Sequence, residues 1–263
     1  MHEILSRLRA GQRVLDLGCM SGSFRAEDCA ASVVRADLDS QPGCAGGAFV
    51  RCDARFLPFD AGTFDAVILN HSLEHFEKPE VVLAEIGRVI CAPGYLWVAV
   101  PDASTITDRI YRWLGRGGGH VNQFTDHDGL VRMIEAQTRL PHAGTRVLFS
   151  SMSFLNRCNN HGKPRRLYLL GGGAEWLLRL SIGAMRKLDA RFGTRTSVYG
   201  WGCCFGANLH FDSRSWWNVC IRCGSGHSAE CLLSVGRLRR GLLGLRLFRC
   251  PDCGTENYFT EDS

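Results

Sequence analysis

Val14-Leu15-Asp16-Leu17-Gly18-Cys19-Met20-Ser21-Gly22 begins as a strand and ends as a turn. The run Arg13–Leu17 is short and β-rich, and Gly18 and Gly22 follow where it stops. A turn without side chains lets backbone approach a ligand closely, and the N-terminus of a following helix favours a carboxylate or phosphate. Taken alone, the pattern also suits any strand-to-helix turn. The rest of the chain decides between these readings.

Working outward, further strands are read at Val33–Leu38, Ala48–Cys52, Phe64–Leu69 and Tyr95–Val100. Over Pro79–Ile90, apolar residues at Val81, Val82, Ile86, Val89 and Ile90 have helical spacing, and Ala92-Pro93-Gly94 marks its stop. Such alternation predicts a parallel sheet with helices on both faces. Asp37 ends the second strand about 20 residues after the glycine turn, the reach of an acid that hydrogen-bonds ribose hydroxyls. Asp53 ends the third, placed to accept from an adenine amino group. Acids in register at strand ends converge on the crevice where open α/β sheets bind ligands. A nicotinamide site would need a second glycine where Met20 stands, so the pyrophosphate turn is absent.

These segments, with Cys52-Asp53-Ala54-Arg55-Phe56-Leu57-Pro58-Phe59, Gly62-Thr63-Phe64-Asp65-Ala66-Val67, Leu73-Glu74-His75-Phe76 and Glu85–Leu96, resemble the type 11 group of class I S-adenosylmethionine-dependent methyltransferases. That group includes ubiquinone- and menaquinone-biosynthesis methyltransferases. The likeness is strong over residues 12–101 and weak to about 140. It implies an α/β fold with a Rossmann-like seven-stranded methyltransferase sheet, and S-adenosyl-L-methionine as cofactor. Carried over residue by residue, it implies that Asp16 and Gly18, in a turn completed by Cys19 and Gly22, approach the methionine amino group. Asp37 would bind ribose with Leu38 against the adenine, Asp53 and Ala54 would hold the adenine edge, and Asn70 and His71 would lie near the sulfonium. The group usually has glycine where this chain has Met20.

Methyl transfer from a sulfonium is an in-line displacement, in which alignment supplies much of the rate. A hydroxyl acceptor also needs a base near neutrality, which favours histidine. His71, Glu74 and His75 cluster after the fourth strand, and His120 and His127 sit in or near the loop after the fifth. His71, His75 and His120 are the catalytic candidates; each could equally be structural. Asp102 could bind acceptor or cap a loop. Leu69-Asn70-His71-Ser72 lacks the Asn/Asp-Pro-Pro-aromatic motif of amino-nitrogen methyltransferases, and no Pro-Cys nucleophile follows. The expected acceptor is therefore a small molecule, glycan or lipid precursor methylated on oxygen. Two other readings stand beside it: an RNA-modifying enzyme, and a non-catalytic S-adenosylmethionine-binding assembly protein.

Beyond Pro101 the pattern predicts a helix over Thr125–Thr138 and strands over Thr145–Phe154 and Cys203–Phe211. Between the strands lies an insert, 155–202, with a basic, apolar helix over Ala174–Phe192. This helix reads as an acceptor lid, as an amphipathic membrane-surface helix, or as a core helix.

Thirteen cysteines is an odd number, and in a reducing compartment most are thiols. Cys19, Cys29, Cys44, Cys52, Cys91 and Cys158 read as small buried hydrophobes. Cys220-Ile221-Arg222-Cys223-Gly224 and Cys250-Pro251-Asp252-Cys253-Gly254 differ from these: two Cys-x-x-Cys-Gly units predict paired knuckles closing a tetrahedral structural Zn2+ site. So short a tail could hardly fold without the metal. His227 and Cys231 are not expected to be ligands. Arg237, Arg239, Arg240, Arg246 and Arg249 read as a solvated hairpin surface rather than a phosphate-binding face. The expected division is a methyltransferase domain over 1–212 and a zinc ribbon over 213–263.

The net charge of +5 permits an acidic partner without demanding nucleic acid. The first residues lack the apolar run of a secretory signal, and no stretch reads as a transmembrane segment. The expected location is the cytoplasm, with peripheral membrane attachment as the second placement. Nothing in the sequence sets the oligomeric state.

Overall fold

A computed structural model describes residues 1–20, 22–39, 46–114, 119–155, 175–240 and 246–260; of Leu114 and Phe154 only the backbone is described. A short helix α1 (His2–Leu5) precedes β1 (Arg13–Leu17), β2 (Ser32–Asp37), β3 (Ala48–Arg51) and β4 (Phe64–Asn70). Helix α2 (Pro79–Val89), β5 (Ile90–Pro101), α3 (Ile106–Leu114), α4 (His127–Thr138), β6 (His142–Phe149), α5 (Glu175–Phe192) and β7 (Val198–Phe205) follow. These strands form a seven-stranded sheet in the order β3-β2-β1-β4-β5-β7-β6. The pairs β3/β2, β2/β1, β1/β4 and β4/β5 are parallel. This is the expected Rossmann-like sheet. The order reverses beside β1, and the carboxyl ends of β1 and β4 flank that crevice.

Sequence pattern explains the core. Leu15 and Leu17 of β1 and Val67 and Leu69 of β4 are buried against Val82, Leu83, Ile86 and Val89, the inner stripe of α2. Pro79 occupies the first turn of α2, where its missing N–H costs nothing. Helix α4 starts at the Asp126 cap, whose side chain accepts from the Asp128 N–H, and ends at left-handed Arg139. Gly87 lets α2 pass close to the end of α4: a Cβ there would lie 2.9 Å from the Gln137 carbonyl oxygen.

Strand limits differ from the sequence reading in an instructive way. Helix α2 does stop, but the chain turns directly into β5 at Ile90 instead of looping to Tyr95. Ala92-Pro93-Gly94 lies within the strand, and the β4/β5 register shifts between Phe64 and Ala66. Likewise β6 starts and ends earlier than Thr145–Phe154, and β7 starts at Val198 and ends before Gly206. Gly206 has a φ of 138°, and an added Cβ would lie 2.7 Å from the Tyr95 ring. Apolar side chains beyond these ends, such as Leu209 and Phe211, are buried without strand pairing.

The chain divides into two compact units. The first comprises Met1–Pro101, His120–Arg146 and Trp201–Ser213. Inside it Arg146 pairs with Glu3 and donates to the Asp212 carbonyl. The second comprises Asp102–Gly119, Val147–Gly200 and Arg214–Ser263. It carries β8 (Asn218–Val219), β9 (Gly226–His227), α6 (Ala229–Ser234), β10 (Leu238–Arg240), β11 (Arg246–Arg249) and β12 (Glu256–Tyr258). Strands β8 and β9 form a two-stranded ribbon, and β10-β11-β12 a three-stranded sheet. In this unit Leu178 and Ile182 of α5 pack with Met152, Leu155 and Ile221. Yet Trp176, Leu180, Leu188 and Phe192, on another stripe of the same helix, are exposed. The start of the expected insert helix, Ala174, and residues 156–174 generally lie outside the described residues, as do Cys44 and Cys158.

Candidate functional sites

The turn after β1 is built by two residues the sequence singled out and one it did not. Gly18 takes a φ of 66°, and an added Cβ would stand 2.6 Å from that of Ser72, at the end of β4. Only glycine fits this crossing, and it is tied down by the Gly18 N–H to the Ala36 carbonyl and by Ser72 Oγ to the Leu17 carbonyl. Asp16 is fully buried beside it. In register opposite is Arg35 of β2, also fully buried, which pairs with Asp16 Oδ2. Arg35 donates as well to the carbonyls of Gly46 and Phe24, so its guanidinium is held from three sides. The Ser23 N–H reaches Asp16 Oδ2 at 2.9 Å. Burial pushes the Asp16 carboxyl up, against the Ser23 hydrogen bond and the Arg35 charge that pull it down. Asp16 Oδ1 has no hydrogen-bond partner among the described residues. A buried carboxylate oxygen left vacant costs stability unless a donor arrives.

The other expected contacts line the same strand ends. Cys19 is buried, and its carbonyl accepts from the Gly22 N–H at 2.6 Å, closing the turn. Met20 takes a φ of 45°, so a residue with a Cβ holds a conformation glycine prefers. Its N–H donates to Asp37 Oδ2 at 2.8 Å, tying the turn to the end of β2. The other oxygen, Asp37 Oδ1, accepts from Asp39 N–H. Leu38 beyond β2 is 62% exposed, as are Met20 (67%) and Phe56 (74%), so apolar surface is left open on three successive strand-end loops. Asp53 is engaged by Arg55, through its N–H, Nε and Nη2, which holds the carboxyl below its usual range. Ala54 is buried beside it. These residues fit an S-adenosylmethionine-type ligand in donor and acceptor chemistry: an orphaned buried acceptor for an ammonium, an acid at a ribose position and open apolar surface for a base.

Four titratable side chains gather beyond β4. Asn70 ends the strand, and His71 follows with a φ of 57°, its N–H donating to the Ala99 carbonyl. A left-handed non-glycine residue at a strand end stores strain of the kind found at functional sites. Glu74 is buried, and its carboxylate Oε1 is 3.9 Å from His71 Nδ1. Its carbonyl accepts from the N–H groups of Val121 and Asn122, both at 2.9 Å, while Asn122 Nδ2 donates to the Phe76 carbonyl. This pins the segment after Gly119 onto the Leu73-Glu74-His75 turn. His120 is thereby brought to His75, the two rings meeting edge to face with centroids 4.9 Å apart. Burial, helped in the same sense by nearby His120 and His75, lowers the His71 pKa to about 4. His71 is therefore neutral at pH 7. Glu74, His75 and His120 each offer a ligand atom, all within 4.8 Å of one another, so the group could pass a proton or hold a divalent ion. All three catalytic candidates are thus brought together, with Glu74 among them. His127 lies apart, bonded through Nε2 to Thr145 Oγ1 at 2.8 Å.

Asp102 serves the backbone: its Oδ1 accepts from Ser104 N–H and Oγ, and its Oδ2 from Arg195. That is the capping alternative.

The two cysteine knuckles repeat one geometry. In the first, Gly224 N–H donates to the Cys220 carbonyl at 3.0 Å and Cys220 N–H to the Ser225 carbonyl at 2.9 Å. In the second, Gly254 N–H donates to Cys250 and Cys250 N–H to Thr255, both at 2.9 Å. Gly224 and Gly254 have φ of 78° and 74°. Cys220 Sγ lies 3.5 Å from Cys253 Sγ, and Cys223 Sγ 3.6 Å from Cys250 Sγ. Four sulfurs bound to one zinc at about 2.3 Å would be spaced by roughly 3.8 Å, so the set suits a tetrahedral ion. Arg222 N–H and Asn257 Nδ2 both point at Cys220 Sγ. His227 Nε2 comes within 3.6 Å of Cys250 Sγ, closer to the sulfurs than its sequence position suggested, while Cys231 is exposed on α6. Of the arginines between the knuckles, Arg239 pairs with Glu256 and Arg246 covers the Phe259 ring. Arg237, Arg240 and Arg249 are exposed. Of the cysteines expected to be buried, Cys19 is, while Cys29, Cys52 and Cys91 are half-buried.

Arg35 was missed because a charge in a strand reads as a solvated face. The available signal was its setting, Val33-Val34-Arg35-Ala36, where a lone charge interrupts an apolar run.

Residues 15–98 match the family profile of a methyltransferase domain. Among curated relatives, the chain is 33% identical over 118 residues to a malonyl-[acyl-carrier protein] O-methyltransferase of Laribacter hongkongensis, covering 40% of each chain. It is 36% identical over 99 residues to a demethylmenaquinone methyltransferase of Beutenbergia cavernae, covering 35% of this chain and 41% of that one. The chain thus spans less than half the length of either relative. In fold it is similar to a SAM-dependent methyltransferase from Archaeoglobus fulgidus, with a TM-score of 0.51 and 16% identity, covering 77% of this chain and 88% of that chain.

Proposed function

We propose, from the premise that residues 15–98 are a class I methyltransferase domain of the type 11 group, that this chain methylates an oxygen of a small-molecule, glycan or lipid-precursor acceptor. The observation that carries the proposal is the convergence of Asp16, Gly18 and Asp37 with the His71-Glu74-His75-His120 group around the ends of β1, β2 and β4. S-adenosyl-L-methionine, when bound, supplies an electrophilic methyl group on a good leaving group.

The chain's own residues do the rest. Asp16 Oδ1 accepts from the ligand's ammonium, with Arg35 holding the carboxylate in place from behind. Asp37 receives the ribose hydroxyls, and Leu38 and Ala54 flank the base, with Asp53 at its edge. Gly18 and Gly22 keep side chains out of the path, and Cys19 is buried between them. Asn70 and the neutral His71 stand at the reacting end and orient the acceptor. The pair His75 and His120, backed by Glu74, takes the hydroxyl proton; a positioned base of this kind contributes about 10²–10⁴ in rate. One relative is named for O-methylation, and the histidine group suits a hydroxyl acceptor, which must lose its proton.

The cysteine knuckles hold one structural zinc ion, with no open position for chemistry. The division into a methyltransferase domain over 1–212, including the insert 155–202, and a ribbon over 213–263 belongs to the same proposal. The exposed apolar stripe of α5 supports a lipid-like acceptor or attachment to a membrane surface. No helix among the described residues is long and apolar enough to cross a membrane.

The test is transfer of a labelled methyl group to a panel of hydroxylated small molecules, glycans and polyprenyl lipids, with RNA as a further arm. We expect turnover with one of the first three, and a loss of about 10² or more in kcat for His75→Gln or His120→Gln at little-changed KM. Ligand binding without turnover across the panel would sink the catalytic reading, and methylation of RNA alone would replace the acceptor class.

A further inference from the structure

Within the second compact unit, α5 carries Arg179, Ile182, Gly183 and Arg186 on one face, at the i, i+3, i+4 and i+7 spacing of a single helical stripe. That stripe lines a small cleft, whose lining also includes Val219, Tyr258 and Thr260. Gly183 keeps the cleft floor bare: an added Cβ would come within 3.2 Å of the Tyr258 ring.

Arg186 is the anomaly. It is only 6% exposed, and neither its Nε nor its Nη2 has a hydrogen-bond partner among the described residues. Burial lowers its pKa to about 10, and no acid among the described residues acts in the other direction. The Nε of Arg179, at the other end of the cleft, is likewise buried and without a partner. The acids on the same helix are already committed. Asp189 accepts from Thr194 Oγ1 and from the N–H and hydroxyl groups of Thr196 and Ser197. Glu175 pairs with Arg222. A buried guanidinium without a counter-charge is among the most costly arrangements in a protein interior. It persists where something else provides the negative charge.

We infer that this cleft is a binding site for a phosphate-type oxyanion, free or carried by an ester, held between Arg186 and Arg179. Two guanidiniums with no compensating acid among the described residues match a doubly charged oxyanion better than a single carboxylate, and their planar forks suit bidentate contact with phosphate oxygens. Tyr258 and Thr260 add hydroxyl groups to the polar side, and Ile182, Val219 and Ile221 give an ester's carbon skeleton an apolar wall. The inference stands on this unit alone and does not depend on the methyltransferase reading.

The test is thermal melting of the full chain in zinc-supplemented buffer at constant ionic strength. Saturating inorganic phosphate should raise Tm by about 3 °C or more, whereas acetate and chloride should not. Arg186→Met should abolish the phosphate response yet melt no lower than wild type in phosphate-free buffer, because it removes an unpaired buried charge. Arg179→Gln, a milder change, should weaken phosphate affinity at least tenfold by calorimetry with little change in phosphate-free Tm. Phenyl phosphate binding more tightly than inorganic phosphate identifies an ester as the ligand, and equal binding identifies the free anion. A wild-type Tm indifferent to phosphate, an equal rise with acetate, an Arg186→Met chain that keeps the response, or one that melts well below wild type in phosphate-free buffer would each overturn the site.

Discussion

In the turn after β1, the groups that would meet a ligand come from the ends of β1, β2 and β4 and from the segment carrying His120, far apart in sequence. In the knuckles, all four sulfurs come from two five-residue units folded in the same way. The first arrangement is held by a sheet core that exists without its ligand: β1 and β4 are buried throughout most of their length, and α2 covers them. The second has little core of its own, chiefly Leu232 and Phe248 packed with Cys220 and Cys250. A small cluster of this kind needs a metal where a larger domain would have apolar side chains. The cost of removing a ligand should therefore differ sharply between the two regions.

The largest effect is expected from the metal. Structural zinc contributes on the order of 10 kcal/mol to small metallodomains. Cys250→Ser, or a strong chelator, should release one zinc per chain and expose the amides of residues 218–260 to hydrogen exchange, while those of β1, β4 and β5 stay protected. A metal-free tail that remains protected would erase the contrast.

Next comes the buried pair behind the turn. Arg35→Met leaves Asp16 charged and buried without its partner, which should cost about 3–5 kcal/mol in denaturant unfolding. Adding Asp16→Asn to that variant should restore most of the stability, since breaking a buried pair is worse than replacing it. If Arg35→Met alone is neutral, Asp16 is not held as described.

A smaller effect belongs to the histidines. Burial keeps the His71 pKa near 4 against an ordinary 6.5, so on acidification the unfolded chain takes up its proton first. The contribution to stability is full above pH 6.5 and is lost as pH falls toward 4. His142, also lowered chiefly by burial, acts in the same direction. Urea midpoints should fall across this window, and His71→Asn, which tolerates the left-handed backbone, should flatten the slope. An unchanged slope would mean that His71 is not desolvated in the native state.

The same contrast explains what could be read from the amino-acid sequence. The knuckles were legible because their ligands are local and their glycines mark the turns: each Cys-x-x-Cys-Gly unit is a complete structural instruction. The sheet was legible because each strand has a period or an apolar run and each crossover has its own punctuation. Arg35 was not, since its role depends on parallel register with Asp16, and register is a long-range property. The approach of His120 to His75 was legible only as a shared neighbourhood; what fixes it is backbone bonding from Val121 and Asn122 to Glu74. The early start of β5 was hidden by Ala92-Pro93-Gly94, which stops a helix without preventing an extended strand. The two faces of α5 were merged in the sequence reading, which took the whole helix as basic and apolar; only packing separates Arg179 and Arg186 of the cleft from the exposed Lys187 and Arg191.

Met20 marks the point where the turn departs from the glycine that the family resemblance leads one to expect. The structure keeps the left-handed conformation despite the Cβ, at a cost on the order of 1 kcal/mol or more, and uses the Met20 N–H to hold Asp37. Asp37 thus stands at the junction of turn and strand, and its substitution tests the proposed site most directly. Titration calorimetry of S-adenosylhomocysteine into the wild-type chain should show one site per chain, and Asp37→Ala, shown to be folded by circular dichroism, should bind at least tenfold more weakly. A folded wild-type chain that takes up no S-adenosylhomocysteine would contradict the account.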